Sequence, residues 1–181
     1  MTKAEQRKET LAARRALSAE ERRRASAVIC ARLLALLELR EAKIVLSYRA
    51  LPDEVDLRAL EAELDARLVY PRCLGSGVME AWQPEGPWSR GPYGIEEPDT
   101  AASRLVEPDE IDAVLVPCVG FDGALRRLGH GAGYYDRYLP RCRKALCIGV
   151  AFEVQRLELV VTGEHDRSLD RIVTEREIIK P

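Results

Sequence analysis

The sequence lacks any apolar run approaching the ~20 residues that a membrane-spanning helix needs. It also lacks the short apolar core of a secretory leader, because Lys3, Glu5, Arg7, Lys8 and Glu9 charge the start at once. No sign of charge dominates: 28 Lys and Arg stand against 30 Asp and Glu, which removes a bulk electrostatic case for nucleic acid. Cysteine is sparse and scattered. Cys30, Cys73, Cys118, Cys142 and Cys147 are odd in number and form no C-x-x-C pair, which argues for free thiols in a reducing compartment. Repeats and low-complexity linkers are missing too. The expectation is one cytoplasmic domain of 181 residues, monomeric, with small-molecule ligands and neither membrane nor nucleic acid as partner.

What is there centres on residues 114–139, VLVPCVGFDGALRRLGHGAGYYDRYL. An apolar run at Val114–Val116 reads as a buried strand. Arg126 and Arg127 then precede three alternating glycines, Gly129, Gly131 and Gly133, and Tyr134, Tyr135 and Asp136 follow at once. Strand, basic glycine loop and helix start suit an anion: glycine lets backbone approach a ligand, and a helix start offers free N–H groups. The spacing matches neither G-x-x-x-x-G-K-[ST] nor G-x-G-x-x-G. A glycine-rich cap with surface arginines is the other reading of the glycines. The paired arginines and the following carboxylate, able to hold Mg²⁺ beside phosphate, favour a phosphate site.

Residues 2–17 predict a polar helix with Lys3, Arg7 and Arg14 near one face, which periodicity alone reads as solvated. Ser18-Ala-Glu-Glu21 is a capping box, and Ala25, Val28, Ile29, Leu33, Leu36 and Leu37 continue as a core stripe to about Leu39. Strands are predicted at 43–48, 68–70 (stopped by Pro71), 78–82, 112–116 and 145–151, with a last short one near the end. Helices are predicted at 57–66, capped by Asp56, and at 134–143. Residues 84–100 are loop, carrying Trp88 and Tyr93. Continuous apolar strands alternating with helices argue for a mainly parallel, helix-covered α/β sheet, with the ligand outside the carboxyl ends of its strands.

Arg127-Leu-Gly-His-Gly-Ala-Gly-Tyr-Tyr-Asp136-Arg-Tyr-Leu139 resembles the R-L-G-x-G-x-G-Y-Y-D-x-x-L signature of the 5-formyltetrahydrofolate cyclo-ligase (methenyltetrahydrofolate synthetase) family. Lys3-x-x-x-Arg7 with Leu17-Ser-Ala-Glu-Glu-Arg22, Leu51-Pro-Asp-Glu54-Val-Asp56, Gly91-Pro-Tyr-Gly-Ile95-Glu-Glu-Pro98 and His165-Asp166-x-x-x-Asp170-x-Ile-Val-Thr174-Glu175 are similar to further family elements in the same order. The resemblance implies a three-layer α/β/α, NagB/RpiA-like sheet. It implies conversion of 5-formyltetrahydrofolate to 5,10-methenyltetrahydrofolate with ATP and Mg²⁺. On it, Lys3, Arg7, Arg127, Leu128, Gly129, Gly131, Gly133, Tyr134 and Tyr135 bind ATP, and Asp136 and Asp170 share the metal. Arg49, Glu54, Tyr93, His130, Tyr134 and Tyr135 bind the folate, with Glu54 suited to the donor edge of the pterin. Arg127 and Asp136 are the catalytic pair, and His165 is structural.

The chain departs from the family pattern at several positions. Leu125 stands where glycine is usual, Tyr93 replaces a common tryptophan, Arg58 follows the V-D element where threonine is usual, Val160-Val161 stands where a proline is typical, and Ala132 replaces a Gly or Lys. A paralogue with another ligand, or a non-catalytic folate or nucleotide binder on the same scaffold, is the alternative.

Overall fold

The computed structural model describes residues 1–91, 94–163 and 166–181. In chain order the elements are α1 (Lys3–Ala16), α2 (Ala19–Leu34), α3 (Leu37–Arg40), β1 (Ile44–Leu46), α4 (Arg58–Glu63), β2 (Arg67–Gly75), β3 (Val78–Pro84), β4 (Trp88–Arg90) and β5 (Glu96–Pro98). They continue with β6 (Ser103–Val106), β7 (Ala113–Pro117), β8 (Gly120–Phe121), β9 (Arg127–Leu128), α5 (Tyr134–Tyr138), β10 (Leu146–Val150), β11 (Arg171–Val173) and β12 (Ile178–Ile179). Among the described residues, no helix is long and apolar enough to cross a membrane.

One eight-stranded sheet runs β12-β11-β10-β7-β1-β2-β3-β6. The four central pairings, from β11 to β2, are parallel, and the three outer ones are antiparallel. Successive side chains of a strand point to opposite faces, so the continuous apolar strands feed two cores. Val114, Val116, Leu46 and Cys147 meet Tyr138, Leu139 and Cys142 on one side. Leu115, Val45 and Ile148 meet Ile29 and Leu33 of α2 and Leu60 of α4 on the other. The three-layer expectation holds.

Boundaries moved for identifiable reasons. β2 runs through Pro71 because its parallel bonding to β1 ends near Val69, so the missing N–H leaves no gap on that side. Asp56 does not cap α4. Its carboxylate accepts from Arg58 N–H at 3.0 Å, but the position before the helix is Leu57, without a side-chain cap. The apolar stripe after Ser18 breaks at 35–36 into α2 and α3, and Leu37 beyond the break is exposed, as is Val28 on the outer face of α2. The helix expected over 134–143 stops at Tyr138 and tightens into a 3₁₀ turn over Leu139–Arg141, at Pro140. Residues 157–161 (LELVV) form no strand, but Val160 is buried and donates its N–H to Asp122 at 2.8 Å.

Leu125 explains its own departure. It sits in the β8–β9 turn at φ +63°, a left-handed conformation that ordinarily costs a branched side chain about 1–2 kcal/mol. Its side chain is buried in the sheet's first core, and its carbonyl accepts from Leu169 N–H at 2.9 Å. Burial worth about 1.5–3 kcal/mol offsets the strain.

Candidate active site

The carboxyl ends of β1, β2 and β7 open onto a cavity of about 480 Å³, closed by α1, the loop after β9 and the start of α5. One end of it is cationic. Arg127, at the end of the β8–β9 hairpin, is 3 % exposed in its side chain and donates to Asp136 Oδ1 at 2.5 and 3.0 Å. Its guanidinium also lies 6.0 Å from the Tyr135 ring centroid. Arg7 Nε donates to Gly129 O at 2.8 Å, and its guanidinium lies 3.5 Å from where a Gly131 Cβ would stand. Lys3 Nζ sits 2.5 Å from Asp166 Oδ2. The loop can take this path because Gly131 (φ +105°) and Gly133 (φ +72°) hold left-handed backbone. α5 has only five residues, so the positive character of this end comes from its cations rather than from a long helix dipole.

The other end is acidic and apolar. Glu54, 9 % exposed, accepts from Leu51 N–H at 3.0 Å and Arg14 Nη1 at 3.4 Å, and His130 Nε2 is 3.5 Å away. Burial lowers the basicity of His130, with the Arg14 and Arg7 charges adding to it, while Glu54 and Asp53 oppose. Tyr48, Pro71, Cys73, Met79, Ile95 and Glu97 complete this wall. Arg49 lines the cavity, but its guanidinium is tethered 2.8 Å from Glu61 and rests against the edge-to-face Tyr70–Trp88 pair, 4.4 and 4.3 Å from their ring centroids. Trp88 therefore stacks on Arg49 rather than standing free for a flat ligand. The phenol of Tyr135 is pushed above its ordinary range by burial, then by Glu54 and Cys73.

Lys3, Arg7, Arg49, Glu54, Arg127, Leu128, Gly129, His130, Gly131, Gly133, Tyr134, Tyr135 and Asp136 all line this one cavity. Tyr93 and His165 lie outside the described residues. Asp170 lies apart from these residues. Its carboxylate accepts from Cys147 N–H at 2.8 Å near the amino end of β10, while its own N–H donates to Cys147 O, so it splices β11 onto the sheet and leaves the cavity wall to others. Asp166, four residues earlier in the same motif, lines the cavity with Asp136. Burial pushes the Asp166 carboxyl up, but Lys3, Gly163 N–H and the Arg127 charge outweigh it and hold the group below its usual value. Arg127 thus acts on both Asp136 and Asp166.

Sequence reasoning passed over Asp166, Arg14 and Glu97. The first lay inside the closing motif beside His165, and its D-x-x-x-D spacing offered two candidates. Arg14 had the right helical spacing from Arg7, but a solvated face explains that spacing equally well. Glu97 followed another glutamate, Glu96, in a loop motif that gave a role to neither.

A two-carboxylate set beside lysine and arginine suits Mg²⁺, which takes few protein oxygens and completes its shell with phosphate and water. Among the described residues there is no group of three or more His, Cys, Asp or Glu side chains of the kind that encloses a metal by itself.

The chain is similar to known proteins over nearly its whole length. The model of the 5-formyltetrahydrofolate cyclo-ligase family matches residues 1–175. A probable 5-formyltetrahydrofolate cyclo-ligase of Schizosaccharomyces pombe is 32 % identical over 173 residues, covering 84 % of each chain. The Mus musculus 5-formyltetrahydrofolate cyclo-ligase is 28 % identical over 182 residues, covering 89 % of this chain and 87 % of its own. Among solved structures, Aquifex aeolicus 5,10-methenyltetrahydrofolate synthetase superposes with a TM-score of 0.87 at 36 % identity, covering 99 % of this chain and 93 % of its own.

Proposed function

The chain belongs to the 5-formyltetrahydrofolate cyclo-ligase family, and from that premise we propose that its cavity closes 5-formyltetrahydrofolate to 5,10-methenyltetrahydrofolate at the expense of ATP. The observation that carries the reading is the division of one cavity into a cationic end at Lys3, Arg7 and Arg127 and an acidic, apolar end at Glu54, Tyr134 and Tyr135.

The chemistry explains both ends. A formyl oxygen on nitrogen is a poor leaving group. Transfer of the γ-phosphoryl to it gives an imidate phosphate and ADP; N10 then attacks that carbon, loses its proton, and phosphate departs with the oxygen. Such transfer needs reactants aligned and charge neutralised more than it needs a protein nucleophile. Lys3 and Arg7, one turn apart on α1, face the polyphosphate. Arg127 is held in place by Asp136 and meets charge developing on the transferred group without reorganising. The loop at 129–133 offers backbone N–H groups to phosphate oxygens. Tyr134 and Tyr135 border the ring of the folate, with Glu54, His130 and Arg49 around it. Asp136 and Asp166 are the residues that would hold Mg²⁺; the ion neutralises the phosphates that would otherwise repel those carboxylates.

The test is direct. Protein mixed with Mg-ATP and 5-formyltetrahydrofolate should develop the methenyl chromophore, and none should appear when ATP is omitted. Absence of the chromophore with folded protein and all components present overturns the proposal.

A further inference from the structure

We propose that Glu97, rather than Glu54, reads the hydrogen-bond donor edge of the reduced pterin, an assignment that rests on the cyclo-ligase reading above. A carboxylate offers about four acceptor positions. Glu54 already faces Arg14, Leu51 N–H and His130. Glu97 is 6 % exposed and lines the same cavity, yet among the described residues its carboxylate accepts only from Cys73, through the N–H at 3.1 Å and the thiol. Among the described residues no Lys, Arg or His forms an ion pair with it. A buried carboxylate with so few partners is costly unless a ligand supplies donors.

The backbone is built around this group. On β5, Glu96 is exposed and Glu97 is buried, and both border the cavity. Its partner strand leads to Gly91, where a Cβ would fall 2.4 Å from Glu97 Cδ and 2.6 and 2.7 Å from the two oxygens. The glycine covers one face of the carboxylate at close range, so any side chain in its place would collide with the group. Pro71, Met79 and Ile95 form apolar wall beside it. The Cys73 thiol is pushed up to about 11 by burial and then by the Glu97 charge, so it stays protonated and adds no competing anion. A pterin presents its 2-amino group and N3–H side by side, a donor fork that a carboxylate receives through two parallel bonds.

The experiment measures calorimetric affinity for 5-formyltetrahydrofolate and for its 2-desamino-2-methyl analogue. The wild type should bind the analogue roughly 10-fold to 100-fold more weakly, as expected for hydrogen bonds to a charged group. Glu97→Gln should lose a similar factor on the natural ligand and discriminate little between the two, with KM for ATP unchanged. Glu54→Gln should still discriminate. If Glu97→Gln fails to fold, Glu97→Asp, which keeps the charge but withdraws it, serves for the same ratio. Wild-type discrimination retained in the Glu97 variant overturns the assignment. A wild type that binds neither ligand overturns the cyclo-ligase reading itself, a different result.

Discussion

Helices α1 and α2 look alike in sequence and do opposite work. Each opens on a capping box, Thr2 with Glu5 and Ser18 with Glu21, and each is rich in arginine. The face that α2 buries is mostly apolar, with Ile29, Cys30 and Leu33. The face that α1 buries is polar: Gln6, Thr10 and Arg14. Gln6 clamps the 159–161 segment, donating to Leu159 O at 2.6 Å and accepting from Val161 N–H at 3.0 Å. Arg14, 2 % exposed, is held by Asp53 and Glu54. Lys3 and Arg7 continue the same side into the cavity. A buried polar face needs partners for every group, and those partners belong to the site. α2 makes fold; α1 makes fold and site together.

The largest effect should come from breaking the polar face. Arg14→Met leaves Asp53 and Glu54 short of their cation and should cost about 3–5 kcal/mol in chemical denaturation. Leu33→Ala in α2 should cost about 2–5 kcal/mol, with turnover per folded molecule unchanged. Arg14→Met should instead also raise the KM for folate, because Glu54 loses its anchor. Equal behaviour of the two variants in turnover would erase the distinction between the helices.

Next in size is the metal. Asp166→Asn should depress turnover and shift its Mg²⁺ dependence, whereas Asp170→Asn should lower thermal stability through the lost Cys147 bond and leave that dependence in place. A shifted Mg²⁺ titration in Asp170→Asn alone would restore the pairing expected from the motif.

A smaller effect concerns acid. Asp53 and Asp166 tie α1 to the body, and both have folded pKa values below ordinary: burial pushes them up, but Arg14 for Asp53 and Lys3 for Asp166 push further down. A depressed folded value means stability that is present above the unfolded carboxylate pKa of about 4 and is lost as pH falls through the folded value. The caps of both helices titrate alike, since Glu5 and Glu21 are each lowered by hydrogen bonds at their caps, and the buried face of α2 carries no carboxylate. Hydrogen exchange at decreasing pH should therefore open α1 before α2; simultaneous opening would argue against the polar clamp.

Much of this was legible in the sequence. Apolar continuity at Val114–Val116 and Leu146–Val150 marked buried parallel strands, and glycine spacing with flanking arginine located the cavity loop. What stayed illegible was pairing across distance. Burial of Gln6, Thr10 and Arg14 depends on partners at 159–161 and 53–54, which no local period reports. Asp166 and Asp170 have the same chemistry, and only the β10–β11 register sends one to a backbone N–H and leaves the other at the cavity. Adjacent Glu96 and Glu97 differ only by which face of β5 each occupies.

The most direct measurement is the thermal shift produced by Mg-ATP in wild type and in the Lys3→Ala, Arg7→Ala double variant. Both side chains are partly exposed, so the variant should melt near the wild-type temperature without ligand. Mg-ATP should raise the wild-type Tm, as any ligand of the native state does, and should leave the variant almost unshifted. An undiminished shift in the double variant would contradict the claim that the polar face of α1 is half of the nucleotide site.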